Sequence, residues 1–394
     1  MRMSVYADNN ATTKVDDRVV EEMLPLFNET YGNPSSMHTF GAEAEKKLRL
    51  ARERVAEFIK ADPSEVVFTG CGTESDNAAL FGTLEAYPEK KHIITTKVEH
   101  PAVLNPCQLL AKKDYSVTFL SVNNEGMLDL DELRDAIADD TAIVSIMHAN
   151  NETGVIFPIE EIAEIVKERG VVFHVDAVQA AGKIPLDVNK LKVDLLSLSG
   201  HKIHAPKGVG ALYVRRGTKL RPLLVGGHQE KGRRGGTENL PHIVGFGKAC
   251  ELAAEYLPEM NTRVKTMRDR LQNGLLQSIP ETAVNGGKSP CVPNTVSIRF
   301  EYVEGESILL LLDRDGIAAS SGSACTSGSL EPSHVLRAMG IPYTSVHGSI
   351  RLSLSRFNTD EDIDYILERF PPIISKLREI SPFVPATPTS KASR

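Results

Sequence analysis

A short apolar run ends in a carboxylate at Val171-Val172-Phe173-His174-Val175-Asp176. The next apolar run leads into a lysine, at Leu195-Leu196-Ser197-Leu198-Ser199-Gly200-His201-Lys202. Similar runs lie at residues 65–69, 92–96, 117–120, 142–146 and 209–214, and helical patterns alternate with them. Strands that alternate with helices form mostly parallel sheets covered on both faces. The sequence therefore predicts an α/β domain whose ligand site lies at the carboxyl ends of the strands.

The pattern changes in the last third of the chain. Residues 238–279 have helical periodicity, strands are predicted at 293–300 and 349–353, and helices at 308–312 and 360–377. This mixture indicates a smaller α+β unit. We expect a large α/β domain over residues 16–258 and a smaller domain formed by residues 1–15 together with 259–380. Residues 381–394 are rich in Pro, Ser and Thr and are predicted to be disordered.

The composition favours a small-molecule partner. The chain has 394 residues, is 41% hydrophobic and carries a net charge of −7. Nucleic acids and anionic membranes both favour a basic face, so we expect neither as a partner. The chain shows neither the apolar run of a signal peptide nor an apolar stretch of about 18 residues, which a membrane helix requires. The sequence predicts a soluble cytoplasmic protein.

A glycine-containing turn follows the first strand of the α/β region, in the stretch from Thr69 to Asp76. Gly72 lets backbone N–H groups approach an anion at a helix N-terminus, and Thr73 adds a hydroxyl donor. We interpret the turn as a phosphate cradle. An ordinary turn with a capping hydroxyl is the alternative.

The ends of the later strands carry further candidate residues. Lys202 follows an apolar strand, where partial desolvation lowers the pKa of an amine and allows it to form a Schiff base. Lys207 lies beyond a proline and is predicted to be exposed. Asp176 must be paired or functional, because burying a carboxylate without compensation is costly. The alternatives are a solvated cationic loop at Lys202 and a helix cap at Asp176.

Together these residues indicate one cofactor. A phosphate cradle, a lysine, an aspartate, an amide at Asn150-Asn151 and an aromatic base at His100 are all predicted at one sheet edge. This combination is typical of a pyridoxal phosphate site.

The five cysteines are Cys71, Cys107, Cys250, Cys291 and Cys325. Their odd number and wide spacing fit neither a disulfide framework nor paired metal ligands. The first four lie near apolar or cap positions, where cysteine acts as a small hydrophobe. Cys325 lies in the Ser/Gly stretch 319–329, whose composition favours an exposed loop and an accessible thiol. We interpret Cys325 as a nucleophile, with an incidental thiol in a linker as the alternative.

The chain resembles the cysteine desulfurases, pyridoxal phosphate enzymes of fold type I, over nearly all of its length up to about residue 380. The motifs that carry the resemblance are Tyr6-Ala7-Asp8-Asn9-Asn10-Ala11-Thr12-Thr13, Gly32-Asn33-Pro34-Ser35-Ser36, Val98-Glu99-His100, the segment around Lys202 and Ser321-Gly322-Ser323-Ala324-Cys325. Within the family, the stretches from Gly227 to Glu230 and from Cys325 to Leu336 look most like the nitrogen-fixation branch, called NifS.

The resemblance implies a role for each matching residue. Lys202 would bind pyridoxal 5'-phosphate covalently and move protons, and Asp176 would pair with the ring nitrogen. His100 would stack on the ring and, with Lys202 and Cys325, would be a catalytic residue. Gln179 and Asn151 would contact the phenolic oxygen. The phosphate would be held by Gly72, Thr73, Ser199, His201 and, from a second subunit, Thr237.

The resemblance also implies the substrate and the partners. Arg351 would bind the substrate carboxylate, with Asn151 beside it, because the planar fork of arginine suits a carboxylate. Arg356 is the weaker candidate for that role. Cys325, in a loop at about 320–332, would take sulfur from L-cysteine and leave alanine. A homodimer, an iron-sulfur scaffold as acceptor and transient metal ligation through Cys325 would follow.

Other readings remain open from the sequence. Another fold type I enzyme, such as an aminotransferase or a selenocysteine lyase, would share the lysine, the aspartate and the cradle. A sulfur carrier or iron-sulfur scaffold without enzymatic activity would use Cys325 and leave Lys202 and Asp176 unexplained.

Overall fold

The computed structural model describes residues 4–321 and 332–382. The strands, numbered in chain order, are β1 Val5–Tyr6, β2 Val66–Thr69, β3 His92–Thr96, β4 Ser116–Leu120, β5 Thr141–Met147, β6 Val172–Asp176, β7 Leu195–Ser199, β8 Gly210–Val214, β9 Thr282–Val284, β10 Thr295–Phe300, β11 Ile317–Ala318, β12 Ser320–Ser321 and β13 Ser349–Ser353. The α-helices are α1 Asp17–Met23, α2 Pro25–Asn28, α3 Thr39–Ile59, α4 Gly72–Ala86, α5 Pro101–Ala111, α6 Leu130–Ala136, α7 Ile159–Glu168, α8 Val188–Leu191, α9 Leu240–Glu259, α10 Lys265–Ser278, α11 Gly305–Arg314, α12 His334–Ala338, α13 Tyr343–His347 and α14 Asp360–Ile380.

A seven-stranded sheet forms the centre of the α/β part, in the order β2-β8-β7-β6-β5-β3-β4. Each of the seven predicted runs is a strand of this sheet, which confirms the predicted α/β fold. The strands β3 to β7 pair in parallel. Most of these strands are buried along their whole length, as expected for a sheet covered on both faces.

One strand runs against the others. β8 pairs antiparallel with both β7 and β2. The segment between β7 and β8 contains only a single 3-10 turn, Gly200–Lys202. A parallel return needs a longer crossover, usually a helix, so this short segment brings the chain back antiparallel. The turn that reverses the chain is the one that carries Lys202.

The C-terminal part has its own sheets and its own apolar cluster. β12, β13, β10 and β9 form an antiparallel sheet, and β1 pairs with β11 in parallel. Val5 and Ala7 from the N-terminus belong to the cluster formed by apolar residues of α10, α11, α14 and these strands. On this packing we propose the predicted domain boundaries.

Two predictions from the sequence concern the C-terminal tail and membrane-spanning helices. Residues 383–394 of the predicted tail lie outside the described residues. Across residues 4–321 and 332–382, no helix has both the length and the apolar character needed to cross a membrane.

Candidate active site

A cavity of about 220 Å³ lies at the carboxyl ends of the parallel strands. Because β2 and β7 both run antiparallel to β8, β2 ends at the same edge as β7. Except for Thr237, every predicted site residue that the structure describes lines this cavity. They are Gly72, Thr73, His100, Asn151, Asp176, Gln179, Ser199, His201, Lys202 and Arg351.

The predicted phosphate cradle is the N-terminus of α4, a 15-residue helix that begins at Gly72. A Cβ atom at Gly72 would lie 3.0 Å from Val178 Cγ2 and 3.2 Å from Ser199 Cβ. Glycine therefore allows the helix end to approach Ser199 closely. The first N–H groups of a helix lack partners within it, so this wall of the cavity favours an anion.

Lys202 ends the 3-10 turn after β7, and its ammonium contacts the N-terminal segment. Its Nζ donates to the carbonyl oxygens of Asn10 at 2.6 Å and Ala11 at 2.8 Å. Lys207 is exposed, as predicted, and Lys202 is half-buried. The structure therefore puts the predicted Schiff-base lysine, and not Lys207, at the cavity.

Asp176 ends β6 and is buried beside a second carboxyl group. Its Oδ1 accepts the N–H of Val178 at 2.9 Å. Burial raises the pKa of Asp176, and the Val178 N–H and Lys202 oppose that rise. Burial first, and then the charge of Asp176, raise the pKa of Asp76 well above its usual value. Because Lys202 and the Val178 N–H both favour the charged form of Asp176, Asp176 is the carboxyl group of this pair that is placed to act as a carboxylate toward a cation.

His100 caps α5 and lines the same cavity. Its Nδ1 accepts the N–H of Ala102 at 3.1 Å. Burial first, then the charges of Lys202 and His334, lower the pKa of His100 to about 4. The ring is therefore neutral at pH 7, and its hydrogen is on Nε2 because Nδ1 is an acceptor. A neutral ring with one N–H suits both stacking and proton transfer.

Arg351 enters the cavity from β13 of the C-terminal part. Its Nη1 donates to the Asn151 carbonyl oxygen at 2.9 Å, and its Nη2 pairs with Asp8 at 2.8 Å. Its Nε has no hydrogen-bond partner among residues 4–321 and 332–382. Arg356 instead pairs with Asp16 outside this cavity. The arrangement favours Arg351 over Arg356 as the carboxylate ligand.

His201 and Gln179 are held by the same N-terminal segment that contacts Lys202. His201 Nδ1 lies 3.2 Å from Thr12 Oγ1, and burial together with Lys202 lowers the pKa of His201 to about 4. Gln179 Nε2 donates to the Asn10 carbonyl oxygen at 2.9 Å. The segment around Asn10 is therefore part of the site.

Thr237 lies outside this cavity. It is exposed and lines a separate cavity of about 160 Å³ together with Gly70 and Arg234. Arg234 is anchored by an ion pair with Glu74 at 2.8 Å, and Arg233 donates to the Val66 carbonyl oxygen. Arg233 and Arg234 are therefore held by contacts within the fold and are not freely solvated.

The cysteines differ from the expectation at one position. Cys107 and Cys250 are buried and Cys291 is half-buried, but Cys71 is exposed and lines the cavity. The prediction that Cys71 serves as a small hydrophobe is wrong, because Cys71 precedes α4 at the open end of the cradle. Cys325, the predicted nucleophile and transient metal ligand, lies outside the described residues. Within the part of the chain that is described, no three His, Cys, Asp or Glu side chains are grouped to hold a metal ion.

Three residues near the site were not assigned from the sequence. Asn10 contributes its carbonyl oxygen, Asp76 lies in the cavity wall, and Glu99 is fully buried beside His100. Each lies inside a motif that had been noted for its neighbours. Asp76 and Glu99 each closely follow a predicted strand, and that position is the signal that could have identified them.

Glu99 allows a test of stability against pH. Its Oε1 accepts from Thr96 Oγ1 at 2.8 Å and the Met147 N–H at 3.0 Å, and burial raises its pKa to about 8. The folded-state pKa is above the unfolded value, so the stabilisation is complete below about pH 4.5 and is lost as pH rises to about 8. Glu99→Gln keeps both acceptor contacts and cannot ionise. We expect the wild type to lose stability relative to Glu99→Gln across this range, by up to about 1.4 kcal/mol per pH unit.

Urea unfolding of both proteins at pH 5, 6, 7 and 8 measures this difference. Glu132→Gln, at a partly exposed carboxylate that accepts the Ser121 N–H, is the matched control. A constant difference between wild type and Glu99→Gln over this range would contradict the prediction.

Comparisons with known proteins match nearly the whole chain to one family. Residues 5–366 match the family model described as aminotransferase class-V. A cysteine desulfurase of Trichormus azollae is 61% identical over 379 residues, covering 96% of this chain and 95% of that protein. The cysteine desulfurase NifS of Azotobacter vinelandii is 55% identical over 380 residues, covering 96% and 94%.

The fold is also similar to solved structures. One described as a NifS-like protein has a TM-score of 0.89 and 43% sequence identity, with 95% of this chain and 100% of that chain covered. A NifS-like protein from Rickettsia africae has a TM-score of 0.85 and 32% identity, with 95% and 100% covered.

Proposed function

The chain belongs to the class-V aminotransferase family, and because its close relatives are cysteine desulfurases we propose that it removes sulfur from L-cysteine with pyridoxal phosphate as cofactor. The observation that carries this proposal is the convergence of Lys202, Asp176, His100 and the α4 cradle on one cavity. Four strand ends far apart in sequence supply these groups.

The residues present fit the cofactor. The close approach that Gly72 permits leaves the α4 N-terminus open to a phosphate beside Ser199 and His201. The buried carboxylate of Asp176 supplies a partner for a protonated ring nitrogen. When bound, pyridoxal phosphate supplies an electron-withdrawing ring that accepts the negative charge developed at the substrate Cα.

The side chains that line the cavity have different roles in the proposed reaction. Lys202 holds the cofactor and moves a proton at the substrate Cα, and Asp176 keeps the ring nitrogen protonated by pairing with it. His100 is neutral and offers an N–H and a flat ring at the cavity wall. Gln179 and Asn151 orient the ring, and Thr73 adds a donor to the cradle.

The reaction transfers one sulfur atom and needs no external oxidant. The thiolate of Cys325 attacks the sulfur of L-cysteine, an S–S bond forms, and the substrate C–S bond breaks. The electron pair of that bond stays with the substrate carbon, which gains a proton, so the products are L-alanine and a persulfide on Cys325. A free thiol has a pKa near ~8.5, so a nearby base must take the Cys325 proton or the site must lower this pKa.

The experiment that tests this function is incubation of the protein with L-cysteine and a thiol reductant. We expect alanine and sulfide in equal amounts, and loss of both after borohydride reduction of the loaded protein. An oxo acid in place of alanine would indicate an aminotransferase, and selenocysteine turnover without cysteine turnover would indicate a lyase. The absence of a visible chromophore would indicate a non-enzymatic carrier.

We propose that Arg351 binds the substrate carboxylate. Arg351→Lys keeps the positive charge but loses the planar fork, so we expect KM for L-cysteine to rise about tenfold to a hundredfold with a smaller change in kcat. Steady-state alanine formation measures both constants. Arg356→Lys is the control because Arg356 pairs with Asp16 outside the cavity. An equal rise in KM in the two variants would refute this role.

We propose that the enzyme is a homodimer in which Thr237 reaches the partner's phosphate site. Two observations support this: Thr237 is exposed on a segment anchored by Arg233 and Arg234, and eight large exposed apolar side chains lie within the two stretches 24–40 and 223–225. Those side chains are Leu24, Phe27, Tyr31, Met37, Phe40, Leu223, Leu224 and Val225. Exposed apolar patches of this kind mark contact surfaces between proteins.

Mixed dimers test the reach of Thr237. Lys202→Ala and Thr237→Glu should each be inactive as homodimers, since the first lacks the lysine and the second repels a phosphate. Co-expressed at equal levels, half of the dimers are mixed and each mixed dimer has one intact site, so we expect about a quarter of wild-type activity. No recovery in a mixed dimer isolated by two affinity tags would show that Thr237 acts within its own subunit.

We propose further that the sulfur acceptor is an iron-sulfur scaffold protein in the cytoplasm, in the context of nitrogen fixation. The similarity to the NifS of Azotobacter vinelandii supports this assignment. A pull-down with the persulfide-loaded enzyme would identify the acceptor.

A further inference from the structure

Lys183 is a buried lysine that the proposed reaction does not use. Its side chain is 4% exposed, and it lies four residues after Gln179 in the turns that follow β6. The turn between them includes Gly182 at φ +69, where a Cβ would lie 3.2 Å from Ile203 Cγ2. This conformation favours glycine, and it brings Lys183 back beneath Gln179.

Lys183 is buried without a carboxylate. Within residues 4–321 and 332–382 it forms no ion pair, and the charged groups that act on it are Lys202 and Arg351, both cationic. Burial first, and then these two charges, lower the pKa of Lys183 well below its usual value. Burying a lysine side chain without a carboxylate carries a desolvation cost. The hydrogen bond that Lys183 forms is therefore the feature that needs an explanation.

That hydrogen bond is to Gln179: Lys183 Nζ donates to Gln179 Oε1. At the other end of the same amide, Nε2 donates to the Asn10 carbonyl oxygen at 2.9 Å. A carbonyl oxygen can only accept, so the amide nitrogen must face Asn10 and the amide oxygen must face Lys183. The two contacts together define the orientation of the Gln179 amide, with its nitrogen toward Asn10 and its oxygen toward Lys183.

We propose that Lys183 is a positioning residue that fixes the Gln179 amide so that its second Nε2 hydrogen is available to the phenolic oxygen of the bound cofactor. The inference rests on the proposed function, because the acceptor belongs to pyridoxal phosphate. Gln179 lines the cavity, and only one hydrogen of its Nε2 is used by Asn10. Rotation of the amide by half a turn would instead present an oxygen and repel a phenolate.

The cofactor spectrum reports this contact. A donor to the phenolic oxygen favours its deprotonated form, so the pKa of the bound chromophore is lower when the donor is in place. Without Lys183 the amide oxygen loses its donor and the Asn10 contact alone holds the amide. The amide is then less firmly fixed toward the phenolic oxygen, and we expect this pKa to rise by about one unit, a tenfold change in proton affinity.

The experiment is a pH titration of the visible absorption of cofactor-loaded wild type, Lys183→Met, Gln179→Leu and the double variant. We expect the pKa to rise in Lys183→Met and to rise no further when Lys183→Met is added to Gln179→Leu. Lys183→Gln retains an N–H donor to Gln179 and should keep the wild-type value. Lys190→Met, at an exposed lysine of α8, is the control.

Other results of this titration would contradict either the role of Lys183 or the proposed function. An undiminished shift on adding Lys183→Met to Gln179→Leu would show that Lys183 acts by charge alone and would overturn the proposal. An equal pKa shift in Lys183→Gln and Lys183→Met would also overturn the proposal. If Lys183→Met does not fold, the pKa of the chromophore in Lys183→Gln is compared with the wild-type value instead. A wild type without a visible chromophore would contradict the proposed function itself.

Discussion

Lys202→Ala is expected to lower the rate of alanine formation from L-cysteine by at least about a thousandfold. Lys202 is the lysine of its loop that reaches the cavity, where its Nζ is 2.6 Å from the Asn10 carbonyl oxygen. Without it, no amine at this position can bind the cofactor covalently or move the proton at the substrate Cα. Steady-state alanine assays with added cofactor measure the loss.

Lys207→Ala is the matched control for this prediction. Lys207 lies in the same segment, carries the same charge and is exposed. Its replacement is expected to leave the rate within about twofold of wild type. A Lys202→Ala enzyme that kept a tenth of the wild-type rate would contradict the assignment of Lys202.

Cys325→Ala is expected to abolish sulfide and persulfide formation, again by at least about a thousandfold, while the absorption of the bound cofactor persists. The reason is that Lys202, Asp176 and the cradle are the groups proposed to bind the cofactor, and none of them depends on a thiol. Persulfide labelling after incubation with L-cysteine, followed by mass spectrometry of the peptide, measures the product directly.

The exposed thiol of Cys71 provides a test of the assignment of Cys325 as the nucleophile. Cys71 lines the cavity, so it is the described cysteine placed to compete with Cys325 for the substrate sulfur. Loss of the persulfide in Cys71→Ala, with Cys325→Ala active, would reverse the assignment of the nucleophile. Cys291→Ala, at a half-buried thiol outside the cavity, serves as the control.

The sheet and its functional edge were predictable because both are local patterns. Apolar β-branched runs mark each strand, and a polar residue directly after a run lies at the strand end wherever the strand is placed. Asp176 and Lys202 could therefore be assigned to one edge before the strand order was known. The match of motifs with a known family added roles that the pattern does not contain.

The contributions of distant segments were not predictable in the same way. Asn10 acts through its backbone oxygen, which every residue possesses, so its side chain gives no signal of the contact with Lys202. The antiparallel direction of β8 depends on the length of the segment after Lys202 rather than on any residue type. Cys71 was assigned as a small hydrophobe from its place near an apolar or cap position, and its exposure depends on how α4 begins.

Asn10 also determines when the site can be completed. Its backbone N–H donates to Ser353 Oγ at 2.9 Å, its side chain donates to Thr295 Oγ1 at 2.9 Å, and its carbonyl oxygen accepts from Lys202. Contacts of such sequence separation form late, because the chain must close large loops first. During synthesis Asn10 and Lys202 are both made early, but the contacts that hold Asn10 in place from the C-terminal part are complete only after Ser353 has emerged. Nascent chains that end before Ser353 should therefore retain the cofactor less well than the full chain, however well the central sheet has folded.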